Sequence, residues 1–133
     1  MSNQPETKDT VLELFVQAAN NHSFNLDITL NVKGAVITGT IISAKDYFEA
    51  LSGTVEDGSD VSEKLSEMLS NAGESVGSES QPEANYIHLK NANVYVGDSK
   101  PTPSKGDILW RGKLSEIDGF FIGRIVDGKS KDS

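Results

Sequence analysis

The chain contains no cysteine among its 133 residues, so it can form no disulfide bond and offers no thiolate for catalysis or metal binding. It has only two histidines, His22 and His88, which are too few for a histidine-rich metal site. It has no run of about eighteen apolar residues, the length that a membrane span needs, and Met1–Thr10 lacks the apolar region of a secretory signal. We therefore expect a cytoplasmic protein without a membrane span.

Motifs for catalysis and cofactor binding are also missing. The stretch 97–106 resembles a phosphate-binding loop but lacks the Gly-Lys-Ser/Thr ending that such a loop needs. The acids in Glu56–Asp60 do not have the spacing of a calcium loop. His88 has no carboxylate at a fixed spacing, and its alternation with Ile87 and Leu89 predicts that it faces solvent. We therefore expect a protein that is not an enzyme and has no cofactor.

The formal charge of −8 is concentrated in one segment. Residues 53–85 hold eight acidic side chains and one basic one, whereas the chain from Tyr86 onward holds eight bases and six acids. A segment with this charge repels phosphate backbones and helps to keep a protein in solution. We expect no nucleic-acid partner and a single domain, 1–133, in which 53–85 is an acidic, partly flexible insertion.

The chain begins with a predicted tail and helix. Thr10, with Glu13 three residues later, has the pattern of a capping box. Apolar residues at helical spacing then predict a helix over Thr10–Ala19. The polar segments 1–9 and 128–133 are predicted to be flexible tails.

A β-hairpin follows. Apolar and polar residues alternate over Phe24–Val32, which predicts a half-buried strand. Lys33–Gly34 is typical of a two-residue turn. The β-branched run Ala35–Ser43 predicts the second strand, with a strong bend at Gly39.

Two helices are predicted next. Ser43, with Asp46 three residues later, predicts a helix that ends before Gly53, although a continuing strand around Tyr47–Phe48 stays open. A second helix is predicted over Ser59–Ala72, ending at Gly73. Its apolar stripe consists of Val61, Leu65, Met68 and Leu69. The segment Glu74–Asn85, rich in Gly, Ser and Glu, predicts a flexible linker.

The last third of the chain predicts three strands. Ile87–Leu89 and Ala92–Val96 alternate with opposite phase, which indicates a bulge near Asn91–Ala92. The proline-containing loop 97–106 cannot be a central strand. The remaining strands are predicted over Ile108–Leu114 and Phe120–Val126, with a turn at Asp118–Gly119. Together these elements predict an α+β fold, with an N-terminal helix before a small, strongly bent five-stranded antiparallel barrel.

Parts of the sequence resemble Sm-like proteins. LDITLNVKGAVITGTIIS (Leu26–Ser43) resembles their first hairpin, YIHLKNANVYVGD (Tyr86–Asp98) their third strand, and ILWRG (Ile108–Gly112) the strand that carries an Arg-Gly pair to the RNA pocket. The resemblance implies an Sm/SH3-like barrel. The pocket also needs an Asp and an Asn after the second strand. Asp46 can be aligned with that Asp, but residues 48–51 contain no Asn. We therefore carry over the fold and not the RNA chemistry.

A closer resemblance is to the gas vesicle accessory protein U family of bacilli. It is carried by Asn25–Leu51 and Ile87–Ile125, which together cover about half of the chain, and within them by the phrases GDSKPTPSKG and EIDGFFIG. The resemblance implies a protein from a gas vesicle gene cluster that does not form the shell. It also implies a minor role in vesicle assembly, organisation or clustering, and it supplies no catalytic residues to transfer.

Two groups of residues are candidates for binding. The stripe Val61, Leu65, Met68 and Leu69 packs on the barrel in the interpretation that we favour, and in the alternative it docks on a partner. Trp110 and Arg111 are the alternative ligand contacts. For Trp110 we favour a core aromatic over a platform for a base, and for Arg111 an outward strand residue.

These observations lead to one functional expectation and one alternative. We expect a non-catalytic accessory protein of gas vesicles, associated with vesicle proteins or the vesicle surface and with other copies of itself. Its acidic segment would act as a mobile contact that is sensitive to ionic strength. The alternative is an Sm-like nucleic-acid-binding module, which the net charge opposes.

Overall fold

The computed structural model describes residues 8–55, 58–78, 84–96 and 108–125. Within them the helices are α1 (Thr10–His22), α2 (Ala44–Val55) and α3 (Asp60–Ser78), with a short 3-10 turn at Leu114–Glu116. The strands are β1 (Leu26–Val32), β2 (Ala35–Ile42), β3 (Tyr86–Val96), β4 (Ile108–Lys113) and β5 (Gly119–Ile122). The predicted α+β class is confirmed. The predicted loop 97–106 and nearly all of both predicted tails lie outside the described residues.

The five strands form one antiparallel sheet in the order β4-β3-β2-β1-β5. The two edge strands do not pair with each other within the described residues, so the predicted barrel closure is not seen. The reason lies in the connection between β4 and β5. The chain leaves β4 through the 3-10 turn and then pairs β5 with β1, which leaves β4 as the opposite edge.

The sheet is nevertheless strongly bent. The edges of a flat five-stranded sheet would be about 19 Å apart. Only Leu114–Asp118 connects β4 to β5, and its 3-10 turn advances by only about 2 Å per residue. Trp110 on one edge and Phe120 on the other also pack against the same hydrophobic core. The bend brings both edges over that core.

The core lies between α1 and one face of the sheet. From α1 it receives Leu12, Val16 and Ala19, all at most 1% exposed. The sheet contributes Ile28, Leu30, Ile37, Ile41, Ile87, Leu89 and Ala92. The alternation of β1 correctly placed Ile28 and Leu30 in the core, and the helical spacing of α1 placed Leu12 and Ala19 there, whereas Phe24 at the start of the alternating run is exposed.

The start of α1 corrects the predicted capping box. The N-cap is Asp9, whose carboxylate accepts hydrogen bonds from the backbone N–H of Val11 and Leu12. Glu13 instead reaches across the fold, where it accepts a hydrogen bond from the Ala84 backbone N–H at 2.8 Å. An aspartate one residue earlier is at least as good a cap as threonine, and it leaves Glu13 free for this tertiary contact.

The hairpin and the bulge are confirmed. Lys33 and Gly34 both have positive φ, 52° and 91°, as a tight hairpin turn requires. At Gly39 the pairing of β2 with β3 shifts register, and Asn91 on β3 has a φ of 52°. An added Cβ at Gly39 would lie 3.1 Å from the Lys90 carbonyl oxygen. Gly39 therefore lets the backbone of β3 bulge towards β2.

The opposite face of the sheet is partly covered by the described C-terminal segment. The Thr29 hydroxyl donates to the Gly123 carbonyl at 2.8 Å, so the Thr38 hydroxyl must be the donor in their 3.0 Å contact. Thr38 in turn accepts from the Ile125 backbone N–H at 3.0 Å. This threonine relay is almost fully buried, and it holds the segment after β5 against the hairpin. The predicted last strand is shorter than expected, because β5 ends at Ile122.

Candidate interaction surface

Helix α2 covers the other end of this second face. Its start is fixed by Ser43, whose hydroxyl accepts from the Asp46 backbone N–H at 3.0 Å. The alternative of a continuing strand at Tyr47–Phe48 is wrong. The predicted end at Gly53 is wrong as well, since the helix continues to Val55. Gly53 has open space around it and needs no special backbone conformation, so nothing obliges the helix to stop there.

His88 is buried beneath α2, which corrects its predicted solvent exposure. It is 4% exposed, and its ring lies 4.7 Å from the ring of Tyr47 and 6.0 Å from that of Phe48. Its alternation with Ile87 and Leu89 does place it on the opposite face. The prediction failed because that face is covered by a helix. Burial, with the nearby Arg111 charge, lowers the pKa of His88 to about 4.

Arg111 extends over this cluster from the edge strand β4. Its Nε donates to Nε2 of His88 at 3.1 Å, and its guanidinium stacks on the ring of Tyr86 at 3.9 Å. Arg111 is exposed, which agrees with the favoured interpretation of an outward strand residue. Its guanidinium nevertheless contacts the Tyr86 ring and the His88 imidazole. Trp110 packs against the core, as expected, and its ring lies over Gly112. The structure does not bring Trp110 and Arg111 together, because they lie on opposite faces of β4.

Helix α3 is longer than predicted. Ser59 caps its start by accepting from the Ser62 backbone N–H at 3.2 Å. The helix then continues past Gly73 to Ser78, so the first part of the predicted linker is helical. The expected stop at Gly73 is wrong because this glycine has a packing role. An added Cβ there would lie 3.1 Å from the Cβ of Phe48 on α2.

The contact between α2 and α3 is made by small residues. Ser62 and Gly73 are buried, and the hydroxyls of Ser66 and Ser52 lie 2.6 Å apart across the two helices. The Ser52 hydroxyl also lies 2.9 Å from the Ser66 carbonyl oxygen. Small side chains let helix backbones approach closely, and hydrogen bonds satisfy the buried hydroxyls. The face of α3 that packs against the protein is therefore its serine and glycine face.

The predicted apolar stripe lies largely on the outside. Val61, Leu65 and Met68 are 78%, 44% and 61% exposed, whereas Leu69, closer to α2, is half-buried. We favoured an interpretation in which the stripe packs on the barrel, but the structure leaves these three residues exposed. We call Val61, Leu65 and Met68 the exposed stripe. Sequence reasoning missed this because it assigned the inner face by hydrophobicity, while the helix contact is determined by side-chain size.

The two helices α2 and α3 carry an excess of acidic side chains. Helices α2 and α3 together carry six acidic and two basic side chains. On α3, three exposed acids recur at intervals of seven residues: Asp60, Glu67 and Glu74. Positions seven apart lie on one line along a helix, so these acids form a row. At about 100° per residue the row lies roughly a third of a turn or more from the exposed stripe, with Lys64 between the two. We call them the acidic row.

Among the described residues, no three or more His, Asp or Glu side chains are grouped so that they could hold a metal ion. None of the helices described is both long enough and apolar enough to cross a bilayer.

Comparison with known protein families identifies a match. Residues 9–125 match the sequence model of a family described as gas vesicle protein GvpU-like. No curated protein and no solved structure matches the chain significantly.

Proposed function

Because the chain belongs to the GvpU-like family of gas vesicle proteins, we propose that it is a non-catalytic accessory protein of gas vesicles. It affects vesicle assembly, organisation or clustering through protein–protein contacts. The observation that carries the proposal is the family match over residues 9–125, which includes all five strands and all three helices described.

The exposed stripe supplies the contact surface. Three large apolar side chains lie in line on one helix and are exposed, whereas in the whole described sheet only Val96, Phe121 and Ile122 are exposed large apolar residues. An exposed apolar patch of this kind typically marks an interaction site. Leu69, on the inner border of the stripe, would contribute part of its side chain. These four residues are the candidate partner-binding set of the sequence analysis, in which docking was the alternative to packing on the barrel.

The position of α3 in the fold supports the same role. The helix is held by α2 through Ser66 and Gly73, so its outer side is presented on a folded support. A surface held in this way loses less conformational freedom on binding than a flexible arm. The acids on α2 and α3 make the contact sensitive to ionic strength, because exposed charges are screened over about 8 Å at physiological salt.

The proposal is tested by exchanging exposed apolar residues in a bacterium that forms gas vesicles. A variant with Leu65→Gln and Met68→Gln keeps helix propensity and net charge, and it removes most of the exposed stripe. We expect it to change vesicle number or clustering in electron micrographs to the same degree as deletion of the gene. Removal of the whole acidic segment is a poorer test, because it would also uncover Phe48 on α2.

The matched control is Leu14→Gln on α1, where the leucine is 64% exposed and distant in sequence from α3. It should leave the vesicles as in the wild type. If deletion of the gene itself leaves vesicles unchanged, the accessory role is refuted. If deletion has an effect and the stripe variant behaves like the wild type, the contact lies elsewhere on the protein.

A further inference from the structure

Going beyond the function proposed above, we propose that the second face of the sheet binds an acidic segment of another protein through Lys90, Arg111 and Lys113. We call these three residues the basic row. The row is separate from the exposed stripe, and its role does not depend on the assignment to gas vesicles.

The three bases follow one another along β3 and β4. Across these two strands Arg111 pairs with His88, and Lys113 pairs with Tyr86. Lys90 is two residues further along β3 than His88, so it lies on the same face. Successive bases are therefore offset by two residues, or about 7 Å, along the direction of the strands. All three side chains are exposed.

The basic row is not neutralised within the described part of the chain. Four other bases each form an ion pair with a carboxylate: Lys8, Lys33, Lys45 and Arg124. No described carboxylate forms such a pair with a member of the row. The chain has twenty acidic and twelve basic side chains, so the row is a surface opposite in sign to the whole protein. It can therefore accept carboxylates from outside.

Arg111 is already oriented for such a contact. Its Nε donates to Nε2 of His88, and its guanidinium lies 3.9 Å from the ring centre of Tyr86 and 5.6 Å from that of Phe48. Its terminal nitrogens, Nη1 and Nη2, have no acceptor among the described residues. Two such nitrogens bind the two oxygens of a carboxylate side by side. Because the side chain is held in place beforehand, less conformational freedom is lost on binding.

Aromatic residues distinguish a carboxylate partner from a nucleic acid. A single-stranded nucleic acid is held by phosphate contacts together with bases that stack on aromatic rings. The Arg111 guanidinium already stacks on the ring of Tyr86, and Trp110 packs against the core from the opposite face of β4. The net charge of −8 also repels a long polyanion or an anionic membrane. A short protein segment with a few carboxylates needs no stacking platform and carries less charge to be repelled.

The spacing of the basic row fits an extended segment. In an extended chain every second side chain points the same way and lies about 7 Å further along. Acidic residues at alternate positions would come level with Lys113, Arg111 and Lys90 in turn. Opposite charges that meet in this way fix the position of a partner as well as attract it.

The probe for the test is a peptide of about seven residues in which glutamate and threonine alternate, because threonine favours an extended chain. Its matched control peptide has glutamine in place of every glutamate. Titration calorimetry of the full chain at low salt should show binding of the glutamate peptide and none of the glutamine peptide. The affinity should fall as salt is added. Amide chemical shifts should change in β3 and β4 and not in α3.

Three protein variants separate the basic row from general charge attraction. Lys90→Gln with Lys113→Gln changes only exposed side chains and should weaken binding of the glutamate peptide at least about tenfold. Lys33→Gln with Lys64→Gln removes the same charge from other surfaces and should leave the affinity unchanged. Arg111→Lys keeps the charge but loses the paired nitrogens, so it should also weaken binding. Thermal unfolding of each variant checks that it is folded.

Several results would overturn the inference. Absence of binding would show that the basic row is only solvated, and equal losses in the two double variants would show non-specific attraction. Tighter binding of a single-stranded oligonucleotide that is lost in Lys90→Gln with Lys113→Gln would assign the row to nucleic acid. Flotation with anionic vesicles that is lost in the same variant would assign it to lipid. A dimer that dissociates in that variant would assign it to a second copy of the chain.

Discussion

At the scale of single residues, His88 shows how one side chain is held neutral. Arg111 donates through Nε to Nε2 of His88, so the imidazole proton must lie on Nδ1. Nδ1 is buried and has no hydrogen-bond partner among the described residues. A positive charge on this ring would lose its hydration and lie beside the Arg111 guanidinium. Both effects lower its pKa, burial more than the charge.

This neutral histidine predicts a loss of stability in mild acid. The unfolded chain takes up a proton at His88 near its ordinary pKa of 6.5, whereas the folded chain does so only near 4. Stability from this residue is therefore complete above about pH 6.5, falls as the pH is lowered and is lost below about pH 4, with a total of about 3 kcal/mol. His88→Gln should remove this component of the pH dependence.

The measurement is urea unfolding at pH 7 and at pH 4.5, with the two stabilities subtracted. His22→Gln is the control, because His22 is exposed at the end of α1 and should leave the difference as in the wild type. All other ionisable groups are the same in the three proteins, so the comparison isolates the substituted histidine. An unchanged difference in the His88 variant would show that this ring is protonated in the folded state.

The sequence predicted the face on which each of these residues lies, but not what covers that face. Alternation along β3 correctly separated His88 from Ile87 and Leu89. Whether an outward residue meets water depends on a helix from elsewhere in the chain, here α2 with Tyr47. Periodicity contains no information on that contact. The histidine site was missed for this reason.

At the scale of elements, glycines have opposite roles in a strand and in a helix. Gly39 lies where β3 bulges, and an added Cβ would lie between 3.1 and 3.3 Å from backbone and Cβ atoms of β3. Gly53 lies inside α2 with nothing within 4 Å of an added Cβ. The first glycine is required by packing and the second is not.

This contrast predicts opposite effects of the same substitution. Gly39→Ala should lower the free energy of unfolding by about 1–3 kcal/mol, because the bulge must move. Gly53→Ala should raise it by up to about 1 kcal/mol, because alanine is the better helix former. Thermal and urea unfolding of both variants check the signs. Equal changes in the two would show that crowding at Gly39 is not what fixes the bulge.

The helices show where element prediction succeeds and where it fails. The capping pattern at Ser43 placed the start of α2 correctly, and the predicted start of the next helix at Ser59 is the residue that caps α3 in the structure. The predicted ends of both helices were wrong. They were placed at Gly53 and Gly73, but these glycines lie within α2 and α3. A glycine ends a helix only when no other interaction favours its continuation. At Gly73, packing against Phe48 favours continuation. That contact could not be read from local sequence.

At the scale of the whole molecule, the sheet has cover on both faces. α1 packs on one face, while α2 and the segment after β5 pack on the other. The number and the antiparallel pairing of the strands followed from their patterns and turns. Closure of a barrel did not follow, because it depends on the pairing of β4 with β5, which are joined by a turn with no alternation to fix their register.

The threonine relay predicts a cost of removing one hydroxyl between the hairpin and the C-terminal segment. Thr38→Val would leave the Ile125 N–H without its acceptor and remove the donor to Thr29. We expect a loss of about 1–3 kcal/mol in the free energy of unfolding. Thr54→Val on the exposed side of α2 is the control and should change stability by less than about 0.5 kcal/mol. Similar losses in both would show that the relay contributes nothing.

The hydrogen bonds of the threonine relay all point the same way. The Ile125 N–H donates to Thr38, Thr38 donates to Thr29, and Thr29 donates to the Gly123 carbonyl. Both ends of the relay lie in residues 123–125, directly after β5. The relay therefore attaches the end of this short edge strand to the middle of the β1–β2 hairpin. That strand cannot open without breaking both of these hydrogen bonds as well as its pairing with β1. The Ile125 amide hydrogen should therefore exchange with deuterium more slowly in the wild type than in Thr38→Val.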